Sequence, residues 1–534
     1  MASKAAVEPS DRSGRTEEGV PPRSLVIQVV RRTSSEEARC AYLEADQRAD
    51  VVEIRLDTIR DLNVDRLLGT RGKPKLVTVR SRQQGGGARP AERESLLRAA
   101  VAAQVEYLDL ELGDESLPFL RVGQGPRRIL SYHDLESTPI DLPALYARLR
   151  SAGQGALLKI VTFAEVASDN LRLRDLLRAA DADSLIAFGM GPKGVPSRIL
   201  APFWGSAGAY APRRGDAASA PGQVPLEDLF DLYRFDSIDS DTRLIGIVGH
   251  PLGHSLSPLV HNMALKALDL NYRYLPFEAT TLAEFLPLMS ELRLCGLSVT
   301  QPHKETILPY LDRLDPVARR TGAVNTVVKT WNRLEGFNTD AEAALVPLRG
   351  RIDLQGARVA IMGAGGAARA LLDALTRAGA RVTLFNRTAT RARELARRFG
   401  VRHLPWRRLR RLPCDLLVNA TSAGCAPNLE ETPLPADWVA APLVYDLVYN
   451  PAETRFLREA RSRGAQVIGG GEMFLAQAVA QFRLFTGRDA PVEKMRQAVS
   501  GGLESPRLDP TPPQPGDPGA ATPRSRRRPV RKPR

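Results

Sequence analysis

Short apolar runs, many of them β-branched, alternate with helix-like stretches from Leu25 to about Tyr210. Runs of this length bounded by turn residues predict strands, and segments such as 89–104 and 142–153 predict the helices between them. Eight such repeats in about 190 residues predict a closed parallel (β/α)8 barrel. The predicted strands are 25–30, 51–57, 75–81, 106–112, 128–134, 156–162, 184–190 and 208–211.

Polar residues share one face of five consecutive predicted strands. In the second strand Ile54 and Leu56 alternate with Glu53 and Arg55, and successive strand residues point to opposite faces. The apolar face must pack against helices, so the polar face points into the barrel, where an unpaired charge is costly. These residues come late in each strand, at the end where barrel enzymes hold their active sites. We predict an enzyme; the alternative is a structural ion-pair network, such as Glu53 with Arg55 or Arg80.

Lys159 is the unusual member of this inward-facing set. Burial removes the solvation of an ammonium group, so the pKa of the lysine falls and its neutral amine becomes a nucleophile toward carbonyls. His133, on the neighbouring strand, is placed to move protons near neutral pH. The pair predicts Schiff-base chemistry on a ketone, unless Lys159 lies at a strand end with its nitrogen in solvent.

A different α/β pattern begins near residue 241. Residues 243–249, 271–278 and 295–300 predict strands, and 323–340 predicts a hairpin that turns near Asn332. From Gly356 onward the order is strand, glycine turn and helix, in which Gly363, Gly365 and Ala368 match G-x-G-x-x-G/A. The helix N-terminus in such a unit binds a pyrophosphate, which predicts a Rossmann-type dinucleotide lobe.

The strand after this fingerprint ends in Asn386, Arg387 and Thr388. An NAD site would place an acidic residue there for the ribose 2′-hydroxyl. Arg387, with Arg391 one helical turn later, suits a 2′-phosphate instead. We therefore predict NADP as the cofactor; the alternative is that both arginines are exposed residues at a helix start.

Other candidates in this half are weak when taken singly. Ser255 and Ser257 lie at a strand-to-helix turn, where serines more often cap a helix than bind a ligand. Lys304 and Asp340 are single charges that surface positions would explain, and Asn325 would serve as a turn cap.

Six short motifs follow one another along the first half: EIRLD, TVRS, SYHD, LLKIVT, MGPKGVPSR and ASAPGQ. In this order they resemble type I 3-dehydroquinate dehydratase. The resemblance implies that Lys159 forms an imine with the substrate ketone and that His133 removes and returns the proton. Arg213, Arg214 and Asp216, in the loop before ASAPGQ, have no role that the resemblance supplies. The substrate ligands that it implies are Glu53, Arg55, Arg80, Arg198, Ser219 and Gln223.

In the second half GHPLGHSLSP, SVTQPHK, AVNT, FNTD, GAGGAAR, NRT, NATSAG, YDLVYNP and GGEMFLAQ resemble shikimate dehydrogenase. Lys304 would then protonate the substrate oxygen, with Asp340 hydrogen-bonded beside it. Gln301 and Ala341 depart from the family pattern. The substrate ligands implied are Ser255, Ser257, Thr300, Asn325, Asp340, Tyr449 and Gln477. The cofactor residues implied are Gly363, Ala364, Gly365, Gly366, Ala367, Asn386, Arg387, Thr388, Arg391, Asn419, Thr421 and Gly471.

The order of the two halves resembles the bifunctional plant enzyme of the shikimate pathway, in which the product of the first reaction is the substrate of the second. The expected small-molecule substrates are 3-dehydroquinate, 3-dehydroshikimate and shikimate. Two alternatives remain open: a dehydrogenase that also oxidises quinate, and a metabolite-sensing regulator built from the same domains. The presence of Lys159, His133, Lys304 and Asp340 argues against the regulator, which needs none of them.

Composition fits this interpretation. The 534 residues, 43% hydrophobic and 25% charged, predict several soluble domains, and the four scattered cysteines favour a reducing compartment without a metal site. Of the net charge of +14, the tail from Gly501 contributes 8 Lys+Arg against 3 Asp+Glu. We interpret it as a solvated tail rather than a nucleic-acid tether.

The leader has no apolar stretch and carries acidic residues, so a cytoplasmic protein is expected. No membrane span is expected, and the oligomeric state stays open. The predicted division is a disordered leader at 1–23, the barrel at 24–236, a substrate lobe at 241–352 plus 472–500, an NADP lobe at 353–471, and a disordered basic tail at 501–534.

Overall fold

A computed structural model of the chain describes residues 24–114, 125–181, 183–216 and 220–504. The predicted leader, nearly all of the predicted tail and the predicted substrate ligand Ser219 lie outside these residues.

Eight parallel strands form the first sheet, in the order β7-β6-β5-β4-β3-β2-β1-β8. Where β7 meets β8, the amide of Ala207 donates to the carbonyl of Leu185 at 2.9 Å. The sheet therefore curls into the predicted barrel, nearly closed at this seam. Its strands are β1 (Leu25–Val30), β2 (Val51–Arg55), β3 (Lys75–Thr78), β4 (Tyr107–Glu111), β5 (Arg127–His133), β6 (Leu157–Phe163), β7 (Leu185–Met190) and β8 (Gly208–Pro212).

Helices lie on the outside of this barrel. The first begins after Ser34, whose side chain accepts a hydrogen bond from the amide of Glu37 and so satisfies a free donor of the first turn. These helices are α1 (Ser35–Leu43), α2 (Val64–Leu68), α3 (Pro90–Ala102), α4 (Leu142–Ala152), α5 (Asp169–Ala179) and α6 (Val195–Leu200).

The alternation along the strands divides their side chains as predicted. Ile54 and Leu56 belong to the core between barrel and helices, whereas Val51 and Ile129 belong to a separate apolar cluster inside the barrel. Four strands, β2, β3, β4 and β7, are shorter than predicted. β2 ends at Arg55 because residues 56–58 turn into a 3-10 helix, and β3 ends at Thr78.

The second sheet is mixed, in the order β10-β9-β11-β13-β14-β12. β13 and β14 pair in antiparallel fashion and turn at residues 331 and 332, which confirms the predicted hairpin. The elements are β9 (Arg243–Gly249), α7 (Ser257–Ala267), β10 (Tyr272–Glu278), α8 (Leu282–Glu291), β11 (Gly296–Val299), α9 (His303–Thr306), β12 (Arg313–Leu314), α10 (Pro316–Thr321), β13 (Thr326–Thr330), β14 (Arg333–Phe337) and α11 (Asp340–Leu345).

The third sheet is parallel throughout, in the order β17-β16-β15-β18-β19-β20. This is the 3-2-1-4-5-6 order of a Rossmann fold, which confirms the predicted dinucleotide architecture. It contains β15 (Arg358–Met362), α12 (Gly366–Arg377), β16 (Arg381–Phe385), α13 (Ala389–Phe399), β17 (Arg402–His403), β18 (Leu416–Asn419), β19 (Leu443–Asp446), α14 (Arg455–Ser462) and β20 (Gln466–Ile468). Two helices follow, α15 (Gly471–Thr486) and α16 (Val492–Glu504).

The predicted start of the tail at residue 501 is wrong by four residues, because α16 continues to Glu504. Glycines disfavour a helix, and two of them suggested its end. Gly502, however, is buried, and a Cβ there would lie 2.8 Å from Leu259 and 2.9 Å from Leu256. Close packing against α7 therefore keeps the last turn helical.

The barrel contacts helix α8 of the second sheet's layer through α5 and through the turn after β7. Lys193, in the turn after β7, forms an ion pair of 2.8 Å with Glu284 in the first turn of α8. Arg174 of α5 pairs with Glu291 at the other end of α8, at 3.2 Å. The side of the barrel that carries α5 and the turn after β7 therefore lies against α8 of the following half of the chain.

Candidate active sites

Lys159 is enclosed in the barrel, with 3% of its surface exposed. Its Nζ lies 3.1 Å from a carboxylate oxygen of Asp109 and 3.9 Å from the centre of the Tyr210 ring. Burial lowers the pKa of this lysine, and the nearby carboxylates of Asp109 and Glu53 oppose that shift. The alternative, a Lys159 nitrogen in solvent at a strand end, is thereby ruled out.

His133 lies on the same inner face, one strand away and two residues further along. Ser131 is the register partner of Lys159 across β5 and β6. The Nδ1 of His133 donates to the side-chain oxygen of Gln84 at 2.9 Å, which leaves Nε2 as the unprotonated nitrogen. Burial, together with the charges of Arg80 and Lys159, lowers the pKa of His133 well below 6.5. The imidazole is therefore neutral and ready to accept a proton.

Asp109 holds the centre of the polar network. It is fully buried and accepts hydrogen bonds from Arg80 at 2.9 Å and from Ser131 at 2.6 Å. Burial alone would raise the pKa of this carboxyl. Its pKa is nevertheless lowered, because the charges of Arg80 and Lys159 stabilise the carboxylate. The predicted alternative pairing of Glu53 with Arg55 or Arg80 is not what forms. Glu53 accepts from Thr78 at 2.7 Å, and Arg55 pairs with Asp57 at 2.8 Å.

The sequence placed Asp109 on the inner face without giving it a role, and it did not single out Gln84. The signal for Asp109 was present, since the alternation puts it on the inner face two strands from Lys159, two residues before the level of Lys159 in the register. Gln84 lies in a turn after β3, where no periodic pattern points to a side-chain direction.

Arg198 lies over the ring of Phe188 at 4.6 Å and is 5% exposed. Its Nε has no hydrogen-bond partner among the described residues, and its Nη2 reaches the carbonyl of Pro221 at 3.4 Å. Burial lowers the pKa of Arg198 to about 9. A buried guanidinium in this state is suited to an anionic ligand group. Gln223 follows Pro221 by two residues, and its side chain accepts from the amide of Ala220 at 3.4 Å.

The three loop residues without a predicted role anchor that loop. Arg213 pairs with Glu44 at 2.9 Å and Arg214 with Asp228 at 2.6 Å. Asp216 accepts from Arg32 at 2.5 Å. These pairs tie residues 213–216, which follow β8, to neighbouring elements of the barrel.

The second half contains a cavity of about 160 Å³ between the second and third sheets. All of the predicted substrate ligands of this half line it, together with Lys304. They are Ser255, Ser257, Thr300, Asn325, Asp340, Tyr449 and Gln477.

Lys304 and Asp340 face each other across this cavity, with Nζ donating to Oδ2 at 2.5 Å. Asn325 donates from its Nδ2 to the other oxygen of Asp340 at 2.8 Å, and also to Thr339. Three residues from three separate segments are thus held in one hydrogen-bonded group. The departure Ala341 is buried against Ala370 and Ala374, where its small side chain lets α11 pack on α12.

A buried polar chain at the back of the cavity was not predicted. The hydroxyl of Tyr274 donates to Ser298 at 2.7 Å, Ser298 donates to Gln481 at 2.9 Å, and Gln481 donates to Thr326 at 3.0 Å. Ser298 and Gln481 line the cavity. Ser298 interrupts an otherwise apolar strand, and that interruption was the available signal.

The glycine turn has the geometry that a dinucleotide requires. Gly363 has φ +115°, and a Cβ there would lie 2.6 Å from the carbonyl oxygen of Ala420. Gly366 begins α12, and a Cβ there would lie 2.9 Å from the side chain of Lys304. Ala367 lines the substrate cavity. The turn, with Ala364 and Gly365 between these positions, therefore brings the N-terminus of α12 beside the cavity.

Arg387 and Arg391 are exposed at the C-terminal edge of the third sheet, where α13 begins. Arg391 lies 3.9 Å from Glu305, and the side chain of Asn386 donates to the carbonyl of Thr388 at 3.0 Å. Residues 387–411 hold ten arginines and one glutamate, the most basic stretch of the described chain.

Asn419 and Thr421 shape the turn after β18. Asn419 is fully buried, donates to Asp446 at 2.9 Å and accepts from the amide and hydroxyl of Thr421. Asn419 thus holds the backbone of residues 420–421 beside Gly363. Gly471 begins α15, and a Cβ there would meet nothing within 4 Å.

Among the described residues, no group of three or more His, Cys, Asp or Glu side chains could hold a metal ion. Over the same ranges, no helix is long and apolar enough to cross a membrane. All four cysteines are free.

The fold and the two sites define a class of protein. A barrel with a buried amine, a neutral imidazole and an arginine suited to an anion is typical of imine-forming enzymes. It is followed by a two-lobed nucleotide-dependent dehydrogenase, with a lysine–aspartate pair at the cleft between its sheets.

Comparison with known families agrees with this class. Residues 25–240 match the family of type I 3-dehydroquinase. Residues 247–327 match the shikimate dehydrogenase substrate-binding domain, 347–426 the shikimate/quinate 5-dehydrogenase family, and 470–499 the shikimate 5′-dehydrogenase C-terminal domain.

Similar proteins cover both halves or one of them. The chloroplastic bifunctional 3-dehydroquinate dehydratase/shikimate dehydrogenase of Arabidopsis thaliana is 38% identical over 485 residues, 85% of this chain and 80% of the plant protein. The shikimate biosynthesis protein AroDE of Chlamydia pneumoniae is 31% identical over 84% of this chain and 92% of its own. The NADP-dependent shikimate dehydrogenase of Moorella thermoacetica is 47% identical over 49% of this chain and 94% of its own.

The chain belongs to the family of bifunctional 3-dehydroquinate dehydratase/shikimate dehydrogenases.

Proposed function

We propose that this protein dehydrates 3-dehydroquinate to 3-dehydroshikimate in the barrel and reduces that product to shikimate with NADPH in the second half. The observation that carries the proposal is the Lys159 amine, enclosed at 3% exposure beside a neutral imidazole. The division into a barrel at 24–236, a substrate lobe at 241–352 plus 472–500 and a cofactor lobe at 353–471 forms part of the proposal.

In the dehydratase reaction the Lys159 nitrogen adds to the ketone carbon, and loss of water gives an imine. Nε2 of His133 then takes the proton from the adjacent carbon, and the electron pair is held as an enamine. The enamine expels the neighbouring hydroxyl, which leaves as water with the proton from His133. Hydrolysis of the imine frees Lys159. Arg198 binds the substrate carboxylate, while Glu53, Arg55, Arg80, Ser219 and Gln223 contact its other oxygens.

In the dehydrogenase reaction Ser255, Ser257 and Gln477 hold the carboxylate and ring hydroxyls of dehydroshikimate. Lys304 donates a proton to the carbonyl oxygen, and Asp340 keeps the ammonium oriented. When bound, NADPH supplies the hydride. The glycine turn, with the N-terminus of α12, would hold its pyrophosphate, and Arg387 and Arg391 its 2′-phosphate.

The experiment that tests the proposal uses the purified full chain with dehydroquinate and NADPH and no other enzyme. Loss of absorbance at the cofactor band requires both reactions in sequence. If the absorbance stays constant with dehydroquinate but falls normally with added dehydroshikimate, the barrel is not a dehydratase. The four free cysteines support a reducing compartment, and we propose the cytoplasm; the plant relative carries a chloroplastic name.

Cofactor choice gives a further prediction. Replacing Arg387 with Asp and Arg391 with Ala lowers kcat/KM for NADPH about 10²- to 10⁴-fold, because each of the two charge-assisted contacts to a phosphate is worth about 1.5–3 kcal/mol. Activity with NADH changes far less. The matched control is Arg349→Ala, which removes another exposed arginine from the same half of the chain. Equal use of NADH and NADPH by the parent protein would contradict the prediction.

The pH dependence of the dehydratase follows from the charges around Lys159. The amine must be neutral to attack, so kcat/KM rises with pH through the pKa of Lys159, which burial places below 10.5. Asp109 stabilises the ammonium and so opposes that lowering. Asp109→Asn therefore moves this limb of the pH profile to lower pH.

Steady-state rates across the pH range measure this shift. Asp57→Asn is the matched control, because Asp57 is a buried barrel carboxylate that pairs with Arg55 instead. A limb that stays in place, or moves to higher pH, in Asp109→Asn would show that Lys159 is not the titrating group.

A further inference from the structure

Tyr210 brings an unused hydroxyl into the barrel. Its side chain points inward from β8, is 6% exposed and belongs to the apolar cluster inside the barrel. The phenol oxygen is buried and has no hydrogen-bond partner among the described residues. A buried hydroxyl without a partner costs free energy, typically about 1–3 kcal/mol, so a ligand group that pairs with it would recover that cost.

The surroundings of Tyr210 show where such a ligand group lies. The ring covers the Nζ of Lys159 at 3.9 Å, so its hydroxyl is on the same side of the barrel as the attacking nitrogen. The ring also lies 6.0 Å from that of Phe188, which carries Arg198 on it at 4.6 Å. Tyr210 thus lies between the nucleophile and the arginine that we assign to the substrate carboxylate.

The hydroxyl keeps its proton near neutral pH and can therefore donate it in a hydrogen bond. Burial and the neighbouring carboxylates of Glu53 and Asp109 raise the pKa of Tyr210 well above 10. It therefore keeps its proton in the same site where burial lowers the pKa of Lys159.

We propose that the Tyr210 hydroxyl donates a hydrogen bond to the ketone oxygen of the dehydratase substrate while the Lys159 nitrogen attacks the carbon. As the N–C bond forms, the carbonyl π electrons move onto this oxygen, and a donor placed there stabilises the developing charge. The two protons of the attacking nitrogen pass to this oxygen, the C–O bond breaks, and the oxygen leaves as water. The hydrogen bond from Tyr210 therefore serves imine formation and not the later proton removal. This proposal rests on the dehydratase function proposed above.

Tyr210→Phe tests the proposal, because it removes one oxygen and leaves the ring over Lys159. We expect kcat/KM for 3-dehydroquinate to fall about 10²- to 10³-fold, the range for loss of one donor to a developing oxyanion. In a single turnover with sodium borohydride, the rate of covalent labelling of the protein, followed by mass spectrometry, should fall by a similar factor. The melting temperature should rise, since an unpaired buried hydroxyl has been removed.

Tyr445→Phe is the matched control. Tyr445 is a fully buried tyrosine of β19 whose hydroxyl also has no partner among the described residues, but it belongs to the third sheet. It should raise the melting temperature and leave dehydratase kinetics unchanged.

The proposal is overturned if Tyr210→Phe stays within twofold of the parent protein in kcat/KM, or if kcat/KM falls while the labelling rate does not. Absence of labelling in the parent protein is a different result, which removes the dehydratase function itself.

Discussion

Lys159→Met is expected to abolish dehydration of 3-dehydroquinate, by at least about 10⁴-fold, while reduction of dehydroshikimate by the same chain continues at the parent rate. The thioether has nearly the length of the lysine side chain but no nucleophilic nitrogen. Without an imine, the proton that His133 must remove stays on a carbon with no electron sink. The two halves have separate sites, so the dehydrogenase has no reason to respond.

The matched control for this variant is Lys75→Met. Lys75 is also a buried lysine of the barrel, 7% exposed, with its nitrogen 4.7 Å from the centre of the Tyr42 ring. It lies on the outer face of β3, away from the polar network, and its replacement should leave dehydratase turnover within a few-fold of normal. The absorbance of the product, dehydroshikimate, measures dehydratase turnover in both variants. A Lys159→Met protein that keeps substantial dehydratase activity would exclude the imine mechanism.

The second large effect concerns the other half. Lys304→Met should lower kcat for dehydroshikimate reduction about 10²- to 10⁴-fold, the range for loss of a positioned general acid, and leave the dehydratase intact. The reason is geometric: the ammonium donates to Asp340 at 2.5 Å at the wall of the substrate cavity, beside the glycine turn.

NADPH oxidation with added dehydroshikimate measures this effect. Lys329→Met is the control. Lys329 lies on β13 and does not line the cavity, so its replacement should change kcat for dehydroshikimate reduction little. If Lys304→Met raised only KM and kept kcat, Lys304 would bind substrate without donating the proton. Together, Lys159→Met and Lys304→Met should separate the two activities completely, and a mixture of both variants should convert dehydroquinate to shikimate again.

The architecture was largely predictable because both folds repeat a local pattern. Alternation of polar and apolar residues on β2 and β6 placed Glu53 and Lys159 inside the barrel, and no long-range information was needed. The glycine turn at Gly363 was recognisable because a close approach to backbone requires that residue type.

The partners of these residues were not predictable in the same way. Gln84 reaches His133 from a turn, and Tyr210 covers Lys159 from the far end of the barrel sequence. Such contacts depend on how the barrel closes. The end of α16 was misjudged for a similar reason, since packing of Gly502 against α7 overrides its poor helix propensity.

Borohydride trapping followed by peptide mapping tests the central claim most directly. In the presence of 3-dehydroquinate, borohydride should reduce the imine and attach the ligand to the peptide that contains Lys159, at one ligand per chain. A ligand found on another lysine such as Lys193, or a Lys159 peptide that stays unmodified while turnover proceeds, would contradict it.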